Sequence, residues 1–275
     1  MTIFRYPGGS WTFGKRTAVM GVLNVTPDSF SDGGAWLDPG RAVRHARRMM
    51  RDGADLIDVG GESTRPRARP VSAAEEIRRV VPVIERLAAE QILVSVDTSK
   101  AAVAVAAFKA GAKVLNDVTA LRGDPAMASC AAAAGVGVIL MHMKGTPRTM
   151  QMNPQYGDVI AEISEFFREI LKTAWRAGIE RDKIILDPGI GFGKSPKHNL
   201  EILRRLDEFR NLGRPLAIGT SRKSFIGRAL GRQVHDRLSG TGATVAAAIL
   251  RGADLVRVHD VREMSDVARM TDLLR

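Results

Sequence analysis

The sequence predicts a single-domain α/β protein, a (β/α)8 TIM barrel spanning residues 1–275, with its active site at the C-terminal ends of the strands. Three observations carry this reading. Eight short apolar runs recur along the chain, rich in Val, Ile and Leu, as strands buried on both faces require. A helical pattern separates each run from the next. Polar residues gather where the runs end. The 275 residues suit one such barrel.

The runs are Ala18 to Leu23, Leu56 to Val59, Ile92 to Val96, Lys113 to Leu115, Val136 to Met141, Ile184 to Leu186, Leu216 to Ile218 and Leu255 to Val258. Helix starts repeat. Asp38-Pro39, Asp124-Pro125 and Ser195-Pro196 each offer a side-chain acceptor at the N-cap followed by proline. Ser72 with Glu75 has the spacing of a capping box. Helix stops repeat as well, at Gly53, Gly111, Gly178 and Gly252, each just before a strand. Between Asp38 and Asp52, Arg41, Arg44, Arg48 and Arg51 share one helical face, and Val43, Ala46 and Met50 another. An open doubly wound sheet is the runner-up, but six strands would suit it better, and no G-x-G-x-x-G follows the first run. Three connections exceed what a barrel needs, Val25 to Leu37, Ser63 to Val71 and Lys144 to Gln155, and all follow strand ends. Arg228 to Ser239 reads as an insertion.

Composition narrows the function classes. The net charge is +11, carried mostly by arginine. Aromatic residues are 5% of the chain and no basic stripe interleaves with them, so a small anionic substrate is expected rather than nucleic acid. No apolar run approaches the ~20 residues of a membrane span. Residues 1–10 lack the apolar core of a signal peptide. The single cysteine, Cys130, fits a reducing compartment and a small apolar packing role. A cytoplasmic location is expected.

The run ends carry the chemistry. Asn24, Glu62, Asp97, Asn116-Asp117, His142, Asp187, Gly219 to Ser224, Arg257 and His259 would all converge on one mouth. Asp97, Asn116 and Asp187 offer carboxylate and amide groups to a ring with several donors, such as a pterin or guanine-like edge, because a buried donor left unpaired costs about 1–3 kcal/mol. Arg65, Arg257 and His259 offer donors to an anion such as phosphate. Asn24 could hold Mg²⁺ through its side-chain carbonyl. Glu62 and Asp117 read as structural, and His142 as either catalytic or a lining residue.

Several stretches are highly specific. They are Gly21 to Gly34 (GVLNVTPDSFSDGG), Asp58 to Pro66 (DVGGESTRP), Ser95-Val96-Asp97-Thr98, Asn116-Asp117-Val118, Met141-His142-Met143, Asp187 to Lys194 (DPGIGFGK), Ser221 to Ser224 (SRKS) and Arg257-Val258-His259-Asp260. In this order they resemble the dihydropteroate synthase family, nearly end to end. The resemblance implies a transferase that joins 6-hydroxymethyl-7,8-dihydropterin diphosphate to 4-aminobenzoate with Mg²⁺, is a sulfonamide target, and works as a homodimer. By matching motif, Asp97, Asn116, Asp187 and Lys223 would hold the pterin, with Met141 helping to line its pocket, and Gly219 would be among the substrate-binding residues. Asn24, Arg65, Arg257 and His259 would take the diphosphate and metal. Phe30, Thr64, Pro66, Phe192 and Ser224 would shape the aminobenzoate site, and Asp32 would face the reacting carbon. One departure is visible: where the family usually continues Arg-Pro with glycine, this chain has Arg67. A corrinoid-linked methyltransferase shares the pterin barrel but has no use for Arg222-Lys223-Ser224 or a diphosphate loop like Asn24 to Gly34.

Overall fold

The structure is a computed structural model and describes residues 2–26, 38–63, 70–147 and 149–275. Phe30, Asp32, Thr64, Arg65, Pro66 and Arg67 lie outside the described residues.

Among the described residues, eight parallel strands form the barrel wall: β3 (Ala18–Asn24), β4 (Leu56–Gly60), β5 (Val94–Asp97), β6 (Val114–Asp117), β7 (Gly137–Met141), β8 (Ile184–Asp187), β9 (Ala217–Ile218) and β10 (Leu255–Val258). Each matches one of the eight apolar runs to within two residues at either end. Their order is β8-β7-β6-β5-β4-β3-β10-β9. A parallel bridge between Leu186 and Leu216 joins the two ends of that order, and the Leu186 N–H donates to the Pro215 carbonyl at 2.9 Å. The sheet is therefore wound into a barrel, which removes the open doubly wound alternative.

Helices α1 (Pro39–Arg51), α2 (Ala73–Ala89), α3 (Ala101–Lys109), α4 (Met127–Ala134), α5 (Val159–Arg176), α6 (Pro196–Arg204), α7 (Ser224–Leu230), α8 (Leu238–Leu250) and α9 (Val261–Leu273) form the outer layer. The crossover after β9 carries both α7 and α8, which accounts for the apparent insertion around Arg228 to Ser239. The main core lies between wall and helices, with Val59, Val96, Leu140, Leu186 and Val256 facing Ile84, Phe167, Ile202 and Ile249. On α1 the inward face is Ala42, Val43, Ala46 and Met49; Met50 is only partly covered, one step off the expected register.

Local signals behave as chemistry dictates, with instructive exceptions. Asp38 caps α1 by accepting from the Gly40 N–H at 2.9 Å, and Ser195 caps α6 in a reciprocal box with His198. Ser72 caps α2, but Glu75 pairs with Arg78 and Arg79 instead of returning the bond. Asp124 does not cap its own helix, which starts only at Met127. It accepts from the Ala126 N–H at 3.0 Å and the Ala101 N–H at 2.9 Å, so it caps α3 from the following unit. The four stop glycines, Gly53, Gly111, Gly178 and Gly252, all adopt φ between 93° and 110°, open to residues without a Cβ.

The first seventeen residues contain an element the apolar runs do not reveal. Strands β1 (Thr2–Tyr6) and β2 (Gly9–Phe13) form an antiparallel hairpin turning at Pro7-Gly8. Phe4 and Phe13 are buried against Ala18, Met20, Leu56, Val114, Ile185, Ala217 and Leu255. These are residues at the starts of the barrel strands, so the hairpin stoppers the N-terminal end. Phe4, Tyr6, Trp11 and Phe13 stack in sequence at centroid separations of 5.6–5.9 Å for the pairs involving Trp11. Thr17, just after the hairpin, donates from its N–H and hydroxyl to Asp272 of α9 at 2.8 Å each.

Phe4→Ala is expected to destabilise the fold by about 3–5 kcal/mol, the cost of emptying a buried aromatic site. A urea melt measures it, and a loss below about 1 kcal/mol would show that the hairpin is dispensable.

Candidate active site

The strand tips at the opposite end enclose a cleft of about 470 Å³, open solvent at its mouth included. It is lined by Asp97, Asn116, Val118, Met141, Asp187, Gly189, Ile190, Phe192, Gly219, Ser221, Lys223, Arg257 and His259. Nine of the expected site residues converge here. Asn24 stands half-buried at the tip of β3, its Oδ1 on the Gly60 side that also faces Asp97. Ser224 is exposed at the first turn of α7 and does not line the cleft.

The floor is a buried charge knot. Arg257 Nε donates to Asp58 Oδ2 at 2.7 Å and its Nη2 donates to Asp97 Oδ2 at 2.8 Å. Asn116 Nδ2 donates to the same Asp58 oxygen at 2.9 Å. Asp58 is fully buried, and its Oδ1 has no hydrogen-bond partner among the described residues. Sequence reasoning passed over Asp58 as a site residue. Its signal was an acid inside the apolar run Leu56 to Val59, where a charge persists only if paired. Burial pushes the Asp97 carboxyl up to about 7, with Asp58 repelling its charge and Arg257 pulling the other way. Burial likewise raises Asp187, opposed by the Gly189 N–H, which donates to Asp187 Oδ1 at 2.7 Å, and by Lys223 and Lys194.

Around the rim, Lys223 Nζ lies 4.1 Å from the centre of the Phe192 ring. Arg222 next to it adopts φ 58°, a strained left-handed conformation for a side chain of this size. Its guanidinium pairs with Asp260, Nε to Oδ2 at 3.0 Å, and its carbonyl accepts from Arg237 at 2.9 Å. This turn sends Arg222 outward and Lys223 into the cleft. His259 is fixed through Ser221 Oγ, 3.1 Å from its N–H and 3.0 Å from Nδ1.

Several tip residues are structural. Asp117 accepts from the Thr119 N–H and hydroxyl and the Leu121 N–H at 2.6–2.7 Å. Glu62 pairs with Lys100, which also reaches Glu76 at 2.5 Å. His142 is buried against Phe166 and beside Lys194, and this burial lowers it to about 2. A neutral imidazole of this kind lines the wall and does not shuttle protons near neutrality.

For a metal, the donor set fits a hard cation held mostly by substrate. Asn24 offers a carbonyl oxygen, and Mg²⁺ typically takes one or two protein ligands with phosphate and water oxygens completing its shell. Among the described residues no cluster of three or more His, Cys, Asp or Glu side chains could hold a metal. No helix among them is long and apolar enough to cross a membrane.

A barrel whose mouth presents buried carboxylates, an amide and two cations defines an enzyme for a polar heterocycle bearing an anion, and the profile of the pterin binding enzymes matches residues 20–259. The dihydropteroate synthase of Synechocystis sp. is 47% identical over 264 residues, 95% of this chain and 91% of that one. The Yersinia pestis dihydropteroate synthase, solved as a sulfonamide drug complex, superposes with a TM-score of 0.96 at 44% identity, covering 100% of this chain and 99% of the other. The Xanthomonas albilineans enzyme, solved with 4-aminobenzoic acid, gives 0.90 at 45% identity, covering 98% and 96%. The chain belongs to the dihydropteroate synthase family, transferases of folate biosynthesis.

Asp97 gives the site a pH dependence. Below about 7 it is largely protonated and offers fewer acceptors; above it, the carboxylate can accept from ring N–H donors. Affinity of the ligand-free protein for a pterin analogue is expected to rise between about pH 6 and about pH 8, by up to about tenfold. Calorimetric titration measures it. A slope that persists in Asp97→Asn would assign the effect to another group.

Proposed function

We propose that this chain condenses 6-hydroxymethyl-7,8-dihydropterin diphosphate with 4-aminobenzoate, releasing diphosphate. The observation that supports it most is the ring of Asp97, Asn116 and Asp187 around one cleft, with Lys223 and Arg257 beside them. The carboxylates and amide hold the N–H edge of the pterin, Lys223 reaches an acceptor on the same ring, and Met141 and Gly219 pack along it. Arg257 and His259, with Arg65 from the second long loop, take the diphosphate. By the matched motifs, Phe192, Ser224, Thr64, Pro66 and Phe30 are assigned to the aminobenzoate and Asp32 to the reacting carbon, with Ser224 reaching it from outside the cleft lining.

The chemistry needs little beyond this. The C–O bond to diphosphate breaks and the electron pair leaves with the diphosphate, where Arg257 and its neighbours stabilise the growing charge. The electron-rich pterin spreads the positive charge left on the methylene carbon, aided by the negative potential of Asp97 and Asp187. The arylamine nitrogen, unprotonated near neutral pH, forms the new C–N bond and loses its proton to solvent. A Ser-His-Asp set is unnecessary, because rate comes from positioning and electrostatics. Mg²⁺ held at Asn24 and the substrate oxygens would supply further neutralisation of the leaving group.

The reading includes a cytoplasmic homodimer. The lone Cys130 suits a reducing compartment. Leu230 of α7, Leu238 and Leu250 of α8 and Met270 of α9 stand exposed on consecutive helices, apolar surface of the kind a second copy covers.

Diphosphate release from the two substrates with Mg²⁺ tests the activity, and pterin binding without release would instead indicate a non-catalytic pterin binder. A sulfonamide is expected to compete with 4-aminobenzoate; failure to compete removes the aminobenzoate assignment. Lys223→Ala is expected to lower kcat/KM by about 1.5–3 kcal/mol, the scale of a charge-assisted hydrogen bond, and unchanged kinetics would count against its role. Arg257→Ala is expected to lose diphosphate affinity. It is also expected to destabilise the ligand-free fold by about 3–5 kcal/mol, because Asp58 is left buried without its cation.

A further inference from the structure

Lys194 is the one lysine among the buried side chains of the described residues, with 2% of its surface exposed. Its Nζ lies 2.9 Å from the Phe192 carbonyl, 3.3 Å from the His142 carbonyl and 2.9 Å from His142 Nδ1. Burial holds its amine well below the ordinary lysine range, against the pull of Asp187. Either protonation state satisfies the three contacts. An ammonium donates to both carbonyls and to the neutral imidazole; an amine donates to both carbonyls and accepts from Nδ1–H. The clamp therefore does not depend on charge.

The segment it holds, residues 188–195, is tied at nearly every step. The Gly191 N–H donates to Asn199 Oδ1 at 2.7 Å, and the Gly191 carbonyl accepts from Gln151 at 2.6 Å. The Gly193 carbonyl accepts from the Tyr156 hydroxyl at 2.9 Å. Gly189 and Gly193 both have positive φ, and a Cβ at either would overlap the His142 or Lys144 carbonyl. These ties bring the Phe192 backbone against the tip of β7, and the Phe192 ring under Lys223. Lys194 is the tie attached to the Phe192 carbonyl itself.

We propose that Lys194 is a positioning residue of the condensation: by joining the Phe192 and His142 carbonyls it fixes the Phe192 ring beneath Lys223, and through that ring it sets affinity for 4-aminobenzoate. The proposal rests on the assignment of Phe192 to the aminobenzoate side. Lys194 does not line the cleft. Its charge acts on Asp187, an effect that would show in the pterin KM, whereas its hold on the aminobenzoate side runs through Phe192, and a double-mutant cycle isolates that second route.

Lys194→Met keeps the stem and removes the donors. It is expected to raise the KM for 4-aminobenzoate about tenfold, the scale of losing a net hydrogen bond, while the KM for the pterin diphosphate moves less than about threefold. In a Phe192→Ala background the same substitution is expected to add less than about twofold. Lys194→Gln, which keeps an amide donor without the amine, carries the same cycle should Lys194→Met not fold. Additive effects in the two backgrounds, or equal rises in both KM values, would overturn the proposal. If Phe192→Ala alone raises the KM and the Lys194 variants do not, the proposal fails while the site assignment stands. If Phe192→Ala leaves the KM unchanged, the assignment fails and the proposal with it.

Discussion

The site is organised around the guanidinium of Arg257, held between Asp58 and Asp97 at the floor of the mouth. Two carboxylates that close would repel if both were ionised without a cation between them. Arg257 makes the pair tolerable, and Asn116 anchors Asp58 from the neighbouring strand. The knot therefore links β4, β5, β6 and β10 through side chains. Asp97 keeps its second oxygen for other partners, so the same group is structural on one side and open to the cleft on the other. Burial raises its proton affinity, and Arg257 limits how far.

Above this floor the rim is set by backbone contacts. The stretch Asp187 to Lys194 rises from β8 and meets the long connection that follows β7, through Gln151 and Tyr156. Glycines at 189 and 193 let the two chains touch, since any side chain there would strike a carbonyl. On the other side, the strained turn at Arg222 is held by Thr241, Arg237 and Asp260. Two loops, each fixed by its own network, thus present Phe192 and Lys223 to one another.

The barrel was legible because its signals are local. Strands buried on both faces must be apolar throughout, and glycine stops such as Gly53 and Gly252 mark where each helix hands over to the next strand. The hairpin at residues 2–13 was harder to read. Its strands alternate Ile3, Arg5 and Thr12 outward with Phe4 and Phe13 inward, a period-2 pattern bounded by Pro7-Gly8-Gly9, too short to register as an apolar run. Asp124 was misread because the identity of a cap depends on which helix lies nearest in space, and that partner is the preceding α3. In the site, the tip residues Asp97, Asn116, Asp187, Lys223 and Arg257 could be named from their place at run ends. Asp58 and Lys194 do not stand at run ends: Asp58 showed only as an acid inside an apolar run, its partner Arg257 lying 199 residues away, and the role of Lys194 depends on His142, 52 residues away.

The hairpin beneath the strands has a consequence for traffic. With aromatic rings sealing one end and a packed wall around it, the described residues form a well closed at its base. On the proposed assignment the pterin lies deepest, against Asp97, Asn116 and Asp187, while Phe192 and Lys223 stand nearer the rim. Whatever occupies the rim then obstructs the bottom. An arylamine seated there would stand across the heterocycle's way in, so on that assignment the heterocycle would enter first and the joined product would leave rim end first. A queue of this kind would follow from a vessel closed at its base.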